Sequence, residues 1–104
     1  MTEEGEETME IKQLQYFIVC AQTESFSEAA RELHTTQPNV SKVIRMLEDE
    51  LGIDLFVREK NRILLNENGR EIYRYACEAM KSIQQVKEYA KCLKEKGGNT
   101  KYRK

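Results

Sequence analysis

Ile11, Leu14, Phe17, Ile18 and Ala21 recur at steps of three and four residues, which predicts an amphipathic helix that gives out near Gln22-Thr23-Glu24. Ser25 stands three residues before Glu28, the spacing of a capping box, in which a hydroxyl and a carboxylate satisfy free N–H groups at a helix start. A short second helix is expected there, with Ala29, Ala30 and Leu33 inward, ending around His34-Thr35. Thr36 is a good N-cap for a third helix, and Pro38 falls in its first turn, where a missing N–H costs nothing. Val40, Val43, Ile44, Leu47 and Leu51 form its apolar face, and Gly52 is a natural stop.

After Gly52 the period changes. Leu55-Phe56-Val57-Arg58 and Arg62-Ile63-Leu64-Leu65 are short runs of strand-forming residues separated by Glu59-Lys60-Asn61, a β-hairpin pattern. Asn66 is placed to cap a fourth helix, with Glu67 in its first turn, running to about Lys96 before Gly97-Gly98-Asn99. Along it Ile72, Ala76, Ala79, Ile83, Val86, Ala90 and Leu93 follow alternating steps of four and three, a heptad seam. So long a helix outruns a small core, so the seam is expected to meet a second copy of the chain. The alternative is that it packs only on its own domain.

These elements predict a mainly α fold: three helices and a hairpin in the order of a winged helix-turn-helix, then a long dimerisation or linker helix. The division expected is an acidic, disordered extension over 1–8, the winged unit over 9–65, the long helix over 66–96 and a flexible basic tail over 97–104. Ala29 and Ala30 are small enough for the steep helix crossing that such a motif needs.

Charge refines this picture. The net charge of the 104 residues is -1, but Glu3, Glu4, Glu6 and Glu7 stand in residues 1–8 without a base, which leaves +3 on residues 9–104. With the apolar side of the third helix turned inward, its other side shows Pro38, Ser41, Lys42 and Arg45, with Gln37 at the tip. Gln pairs bidentately with adenine, Arg or Lys with guanine, and Ser or Thr with base edges or phosphate. A helix N-terminus also favours phosphate. Double-stranded DNA is therefore the expected partner. A winged-helix module that binds protein instead is the competing reading, supported by the acidic start and by Glu48-Asp49-Glu50.

Other classes lack support. The three cysteines Cys20, Cys77 and Cys92 are scattered and the only histidine is His34, so neither a disulfide framework nor a metal site is expected. No glycine-rich phosphate loop and no nucleophile–base pair speaks for catalysis, and no cofactor is expected. No apolar run approaches the roughly 20 residues that cross a bilayer. The polar start lacks the features of a signal peptide, so a cytoplasmic location is expected.

Residues 9–96 resemble the N-terminal domain of LysR-type transcriptional regulators. The likeness rests on Leu14-Gln15-Tyr16-Phe17, Ser25-Phe26-Ser27-Glu28-Ala29-Ala30, Leu33 through Ser41, Leu47-Glu48-Asp49-Glu50-Leu51-Gly52 and Leu55-Phe56-Val57-Arg58. It implies a bacterial, sequence-specific regulator whose long helices pair antiparallel in a homodimer on a pseudo-palindromic operator. It also implies DNA contacts at Thr36, Gln37, Pro38, Ser41, Lys42 and Arg45, and at the wing through Arg58, Lys60 and Arg62. The chain departs from the family pattern in four ways. Lys42 stands where arginine is common, giving a point charge in place of a fork. Asn39 fills a slot that is usually small and apolar, and adds a candidate contact. Thr35 replaces a usual valine, which is expected to loosen the turn. The family's effector-binding domain does not follow, so no small-molecule effector site is expected here; a fragment and a stand-alone protein both remain open.

Overall fold

A computed structural model of the chain describes residues 9–97; the expectations for 1–8 and for most of the tail lie outside them. The elements run α1 (Ile11–Thr23), α2 (Phe26–Glu32), α3 (Gln37–Leu51), β1 (Phe56–Glu59), β2 (Arg62–Leu65) and α4 (Glu67–Glu95). This is the mainly helical, winged helix-turn-helix order that the periodicity predicts, with the long helix last.

Helix α1 lies at the centre. Phe17 and Cys20 are fully buried, with Leu14, Tyr16 and Gln13 beside them, while Ile11 is half exposed. The buried face is therefore turned from the one the apolar spacing alone marks. The reciprocal capping box forms at Glu10 and Gln13, not at Ser25 and Glu28. Ser25 Oγ does accept from the Glu28 N–H at 3.0 Å, but the Glu28 carboxylate turns to Arg31, 3.6 Å away along the helix surface. An exposed i,i+3 partner has displaced the second half of the box.

The wing departs by one residue from the expected strands. Phe56 pairs with Leu65 and Glu59 with Arg62, so only Lys60-Asn61 turn the hairpin, with Lys60 left-handed at φ 54. Leu55 is not in the ladder. Its side chain is fully buried, its N–H donates to Glu48 Oε2 at 2.8 Å, and its carbonyl accepts from the Asn66 N–H at 2.9 Å. Both backbone groups are thus engaged outside the sheet.

Phe17 closes the core edge-on against Phe56 at 5.6 Å and Tyr73 at 6.2 Å between ring centroids. Asn66 caps α4 as expected, its Oδ1 accepting from the Gly69 N–H at 2.6 Å. A Cβ on Gly69 would lie 2.1 Å from the Leu55 carbonyl oxygen. Only glycine lets α4 start this close to the strand entry. No helix among the described residues is long and apolar enough to cross a membrane.

Candidate nucleic-acid interface

Helix α3 is held by its buried face, Val40, Val43, Ile44 and Leu47, all at most 7% exposed. Thr36 caps it, its Oγ1 accepting from the Asn39 N–H at 3.2 Å, and Pro38 occupies the first turn. That fixes the opposite face outward: Gln37, Pro38, Lys42 and Arg45 are exposed and Ser41 is half-buried. Because the turn before it is closed by His34, left-handed at φ 58, and by Thr35 N–H to Ala30 carbonyl at 3.0 Å, the helix tip projects from α2.

The wing completes the surface. Arg58 lies with its guanidinium 5.1 Å from the Phe26 ring centroid, a stacking that orients the charge without engaging its N–H groups. Two grooves meet at this side chain. One of about 320 Å³ is lined by Ser41, Arg45, Glu48, Asp54 and Arg58 among others; one of about 190 Å³ by Ser27, Gln37, Arg58, Lys60, Asn61 and Arg62 among others. Recognition-helix and wing candidates that lie far apart in the chain are therefore neighbours. Lys42 stands on the other flank of α3, in a groove of about 210 Å³ with Lys12, Asn39 and Met46.

Three candidate assignments change in detail. Arg62 pairs with Glu24 at the end of α1, so part of its charge is neutralised within the chain. The Asn39 amide nitrogen is engaged within the chain: Nδ2 donates to Thr35 Oγ1 at 3.0 Å and to the Tyr16 hydroxyl at 3.5 Å, although the half-buried side chain still borders the groove of Lys42. Thr35 correspondingly does not loosen the turn but is bonded within it. Asn61 joins the groove with the Lys60–Arg62 turn, whereas Ser27 and Lys12 carry no periodic signal as isolated polar residues, and only the folded arrangement collects them. Glu48, part of the acidic cluster that favoured a protein-binding reading, is engaged by the Leu55 N–H. Among the described residues no cluster of metal-binding side chains occurs.

The seam on α4 is divided. Ala76 is buried, and Ile72 and Ala79 pack against the chain's own core, so the alternative, packing on its own domain, holds for the first half of the seam. Beyond the core, Val86 is 68% and Leu93 41% exposed, and Tyr75 and Tyr89 are exposed with them at 59% and 67%. Tyr75, Ala79, Ser82, Val86, Tyr89 and Leu93 follow the same alternation of four and three, one stripe round from the first. An apolar count on α4 marks Ala76, which the core absorbs, and leaves out Tyr75 and Tyr89, whose polar hydroxyls mask large apolar rings.

Residues 11–70 match the family described as bacterial regulatory helix-turn-helix protein, lysR family. The chain is 39% identical over 84 residues to the RuBisCO operon transcriptional regulator of Allochromatium vinosum, covering 81% of this chain and 28% of that one. It is 45% identical over 80 residues to an uncharacterized HTH-type transcriptional regulator, YxjO, of Bacillus subtilis, covering 77% of this chain and 28% of that one. The chain thus spans little more than a quarter of the length of these relatives. Among solved structures, the BenM DNA-binding domain in complex with catB site 1 DNA superposes with a TM-score of 0.80 at 31% identity, covering 90% of this chain and all of that one.

Proposed function

Because the chain belongs to the LysR family of bacterial regulatory helix-turn-helix proteins, we propose that it binds double-stranded DNA sequence-specifically as a transcriptional regulator, two copies together on a pseudo-palindromic operator. The observation that carries this reading is the outward face of α3. Its buried side leaves Gln37, Ser41 and Arg45 outward next to the stacked Arg58, with Lys42 exposed on the other flank of the same helix, so base-reading and phosphate-binding groups line the outward side of α3. The BenM domain, similar over its whole length, is solved with DNA, which supports the same use here.

In this reading α3 enters the major groove tip first. Gln37, Ser41 and Lys42 meet base edges, and Pro38 lines the tip. Thr36 and Arg45 approach the backbone, where phosphate contacts position without choosing sequence. On the wing Arg58 and Lys60 supply most of the phosphate attraction, and Arg62 less, since Glu24 holds part of its charge.

The second copy covers Tyr75, Ser82, Val86, Tyr89 and Leu93, and meets only the half-exposed edge of Ala79. Residues 67–80 of α4 carry a net charge of -1 and residues 81–96 carry +3, so antiparallel pairing sets unlike ends together. Ile83 and Ala90 border this stripe. The role is regulation rather than catalysis, in keeping with relatives named as transcriptional regulators, and the cytoplasm is where a bacterial chain meets DNA.

Titration of the chain against labelled genomic fragments at several salt concentrations tests the function. A small set of fragments is expected to bind at least about 1,000-fold tighter than the rest. The logarithm of affinity should fall by about 0.9 per neutralised phosphate for each tenfold rise in salt. Equal binding to every fragment, or to none, would contradict it.

A further inference from the structure

Asn39 lies two residues after Gln37 and three before Lys42, between two of the side chains assigned to base edges. A free carboxamide at such a place would itself read DNA, offering a donor and an acceptor side by side for adenine. Here Nδ2 donates to Thr35 Oγ1 at 3.0 Å and reaches the Tyr16 hydroxyl at 3.5 Å, both partners within the chain. The bidentate pairing with adenine is thereby closed to Asn39.

What the side chain does hold is the helix. Its backbone N–H is bound by the Thr36 cap at 3.2 Å, so one residue links the cap, the inter-helix turn and α1. Tyr16 is only 9% exposed and α1 is the centre of the core, so the anchor on that side is rigid. Val40, Val43, Ile44 and Leu47 seat α3 on the core, and the hydrogen bonds of Asn39 add a directional constraint on its rotation at the end that carries Gln37. Base readout works within a few tenths of an ångström, so rotation is the motion that matters at Gln37 and Lys42.

We infer that Asn39 is a positioning residue for base readout: with Thr35 and Tyr16 it fixes the rotation at which α3 presents Gln37 and Lys42. Thr35 and Asn39, the two departures from the family pattern in this stretch, act as one unit, a polar joint where a valine and a small apolar residue are usual. The inference rests on the DNA-reading role of α3.

A double-mutant cycle with Thr35→Val and Asn39→Ala tests it, each variant measured for unfolding in denaturant and for base preference by selection on randomised duplex DNA. Asn39→Ala is expected to lose about 2- to 10-fold of discrimination at the positions nearest Gln37, the range of one lost hydrogen bond. Affinity for non-specific duplex should stay as in the parent. In unfolding, Thr35→Val and Asn39→Ala together should cost less than the sum of the two, because the partner of each is gone. Leu33→Ala serves as the control, lowering stability without changing the profile. An unchanged base profile for Asn39→Ala, a uniform loss over all sequences, or strict additivity in unfolding would overturn the inference. A parent chain with no base preference would overturn the DNA-reading role itself, and this one with it, and is recognised before any variant is made.

Discussion

Glu48 Oε2 accepts a hydrogen bond from the Leu55 N–H at 2.8 Å, tying the last turns of α3 to the entry of the wing. Glu48→Ala leaves that N–H without its partner, which is expected to cost about 1–3 kcal/mol of stability. Because Arg58 follows Leu55 by three residues, affinity for non-specific DNA should fall as well. Chemical denaturation and DNA titration check the two effects, and Glu48→Gln, which keeps an acceptor, should recover most of both.

Gly69 forces an opposite outcome to helix propensity. Alanine in a helix interior normally gains about 1 kcal/mol over glycine. Here the added Cβ would fall 2.1 Å from the Leu55 carbonyl, so backbone must shift. Gly69→Ala is expected to destabilise by about 1–3 kcal/mol, the range of an overpacked core. A thermal midpoint at or above that of the parent would contradict this packing.

Burial pushes the Cys20 thiol from 9.0 up to about 12. The folded state disfavours the thiolate, so the contribution is fully present below pH 9 and is lost as pH rises toward 12, by at most about 1.4 kcal/mol per pH unit. Unfolding midpoints should fall more steeply above pH 9 for the parent than for Cys20→Ala. At pH 8 an alkylating reagent should modify the exposed Cys92 and leave Cys20 intact in the folded protein.

Val86 belongs both to the seam read from the sequence and to the exposed stripe. Val86→Asp places a charge at the centre of the proposed dimer contact and should give monomers in sedimentation at tens of micromolar, with stability of the winged unit unchanged. Ala76→Asp should instead unfold the chain, since that side chain is 3% exposed in its own core.

The contrast between Ala76 and Val86 shows how far the sequence was legible. Three-and-four periodicity located every helix, and Thr36, Asn66 and Gly52 marked ends correctly, because helix faces and caps are local properties. Which of two apolar stripes on α4 meets the core is not local; it depends on where Leu55 and Gly69 let the helix begin. The candidate site was legible for the same reason in part. Burial of Val40 and Val43 dictates that Gln37 and Lys42 face out. The inward turn of Asn39, the Arg62–Glu24 pair and the stacking of Arg58 on Phe26 join residues distant in the chain, and no spacing rule reaches them.

Selection on randomised duplex DNA with the parent and Gln37→Ala tests the central claim most directly. Gln37 is exposed at the tip of α3, so its loss should change stability by no more than about 0.5 kcal/mol. The account predicts a two-fold symmetric motif for the parent, and for the variant a loss of about 1–3 kcal/mol of discrimination at one position in each half-site. An unchanged motif for Gln37→Ala would contradict it, showing that another face of the chain reads the DNA.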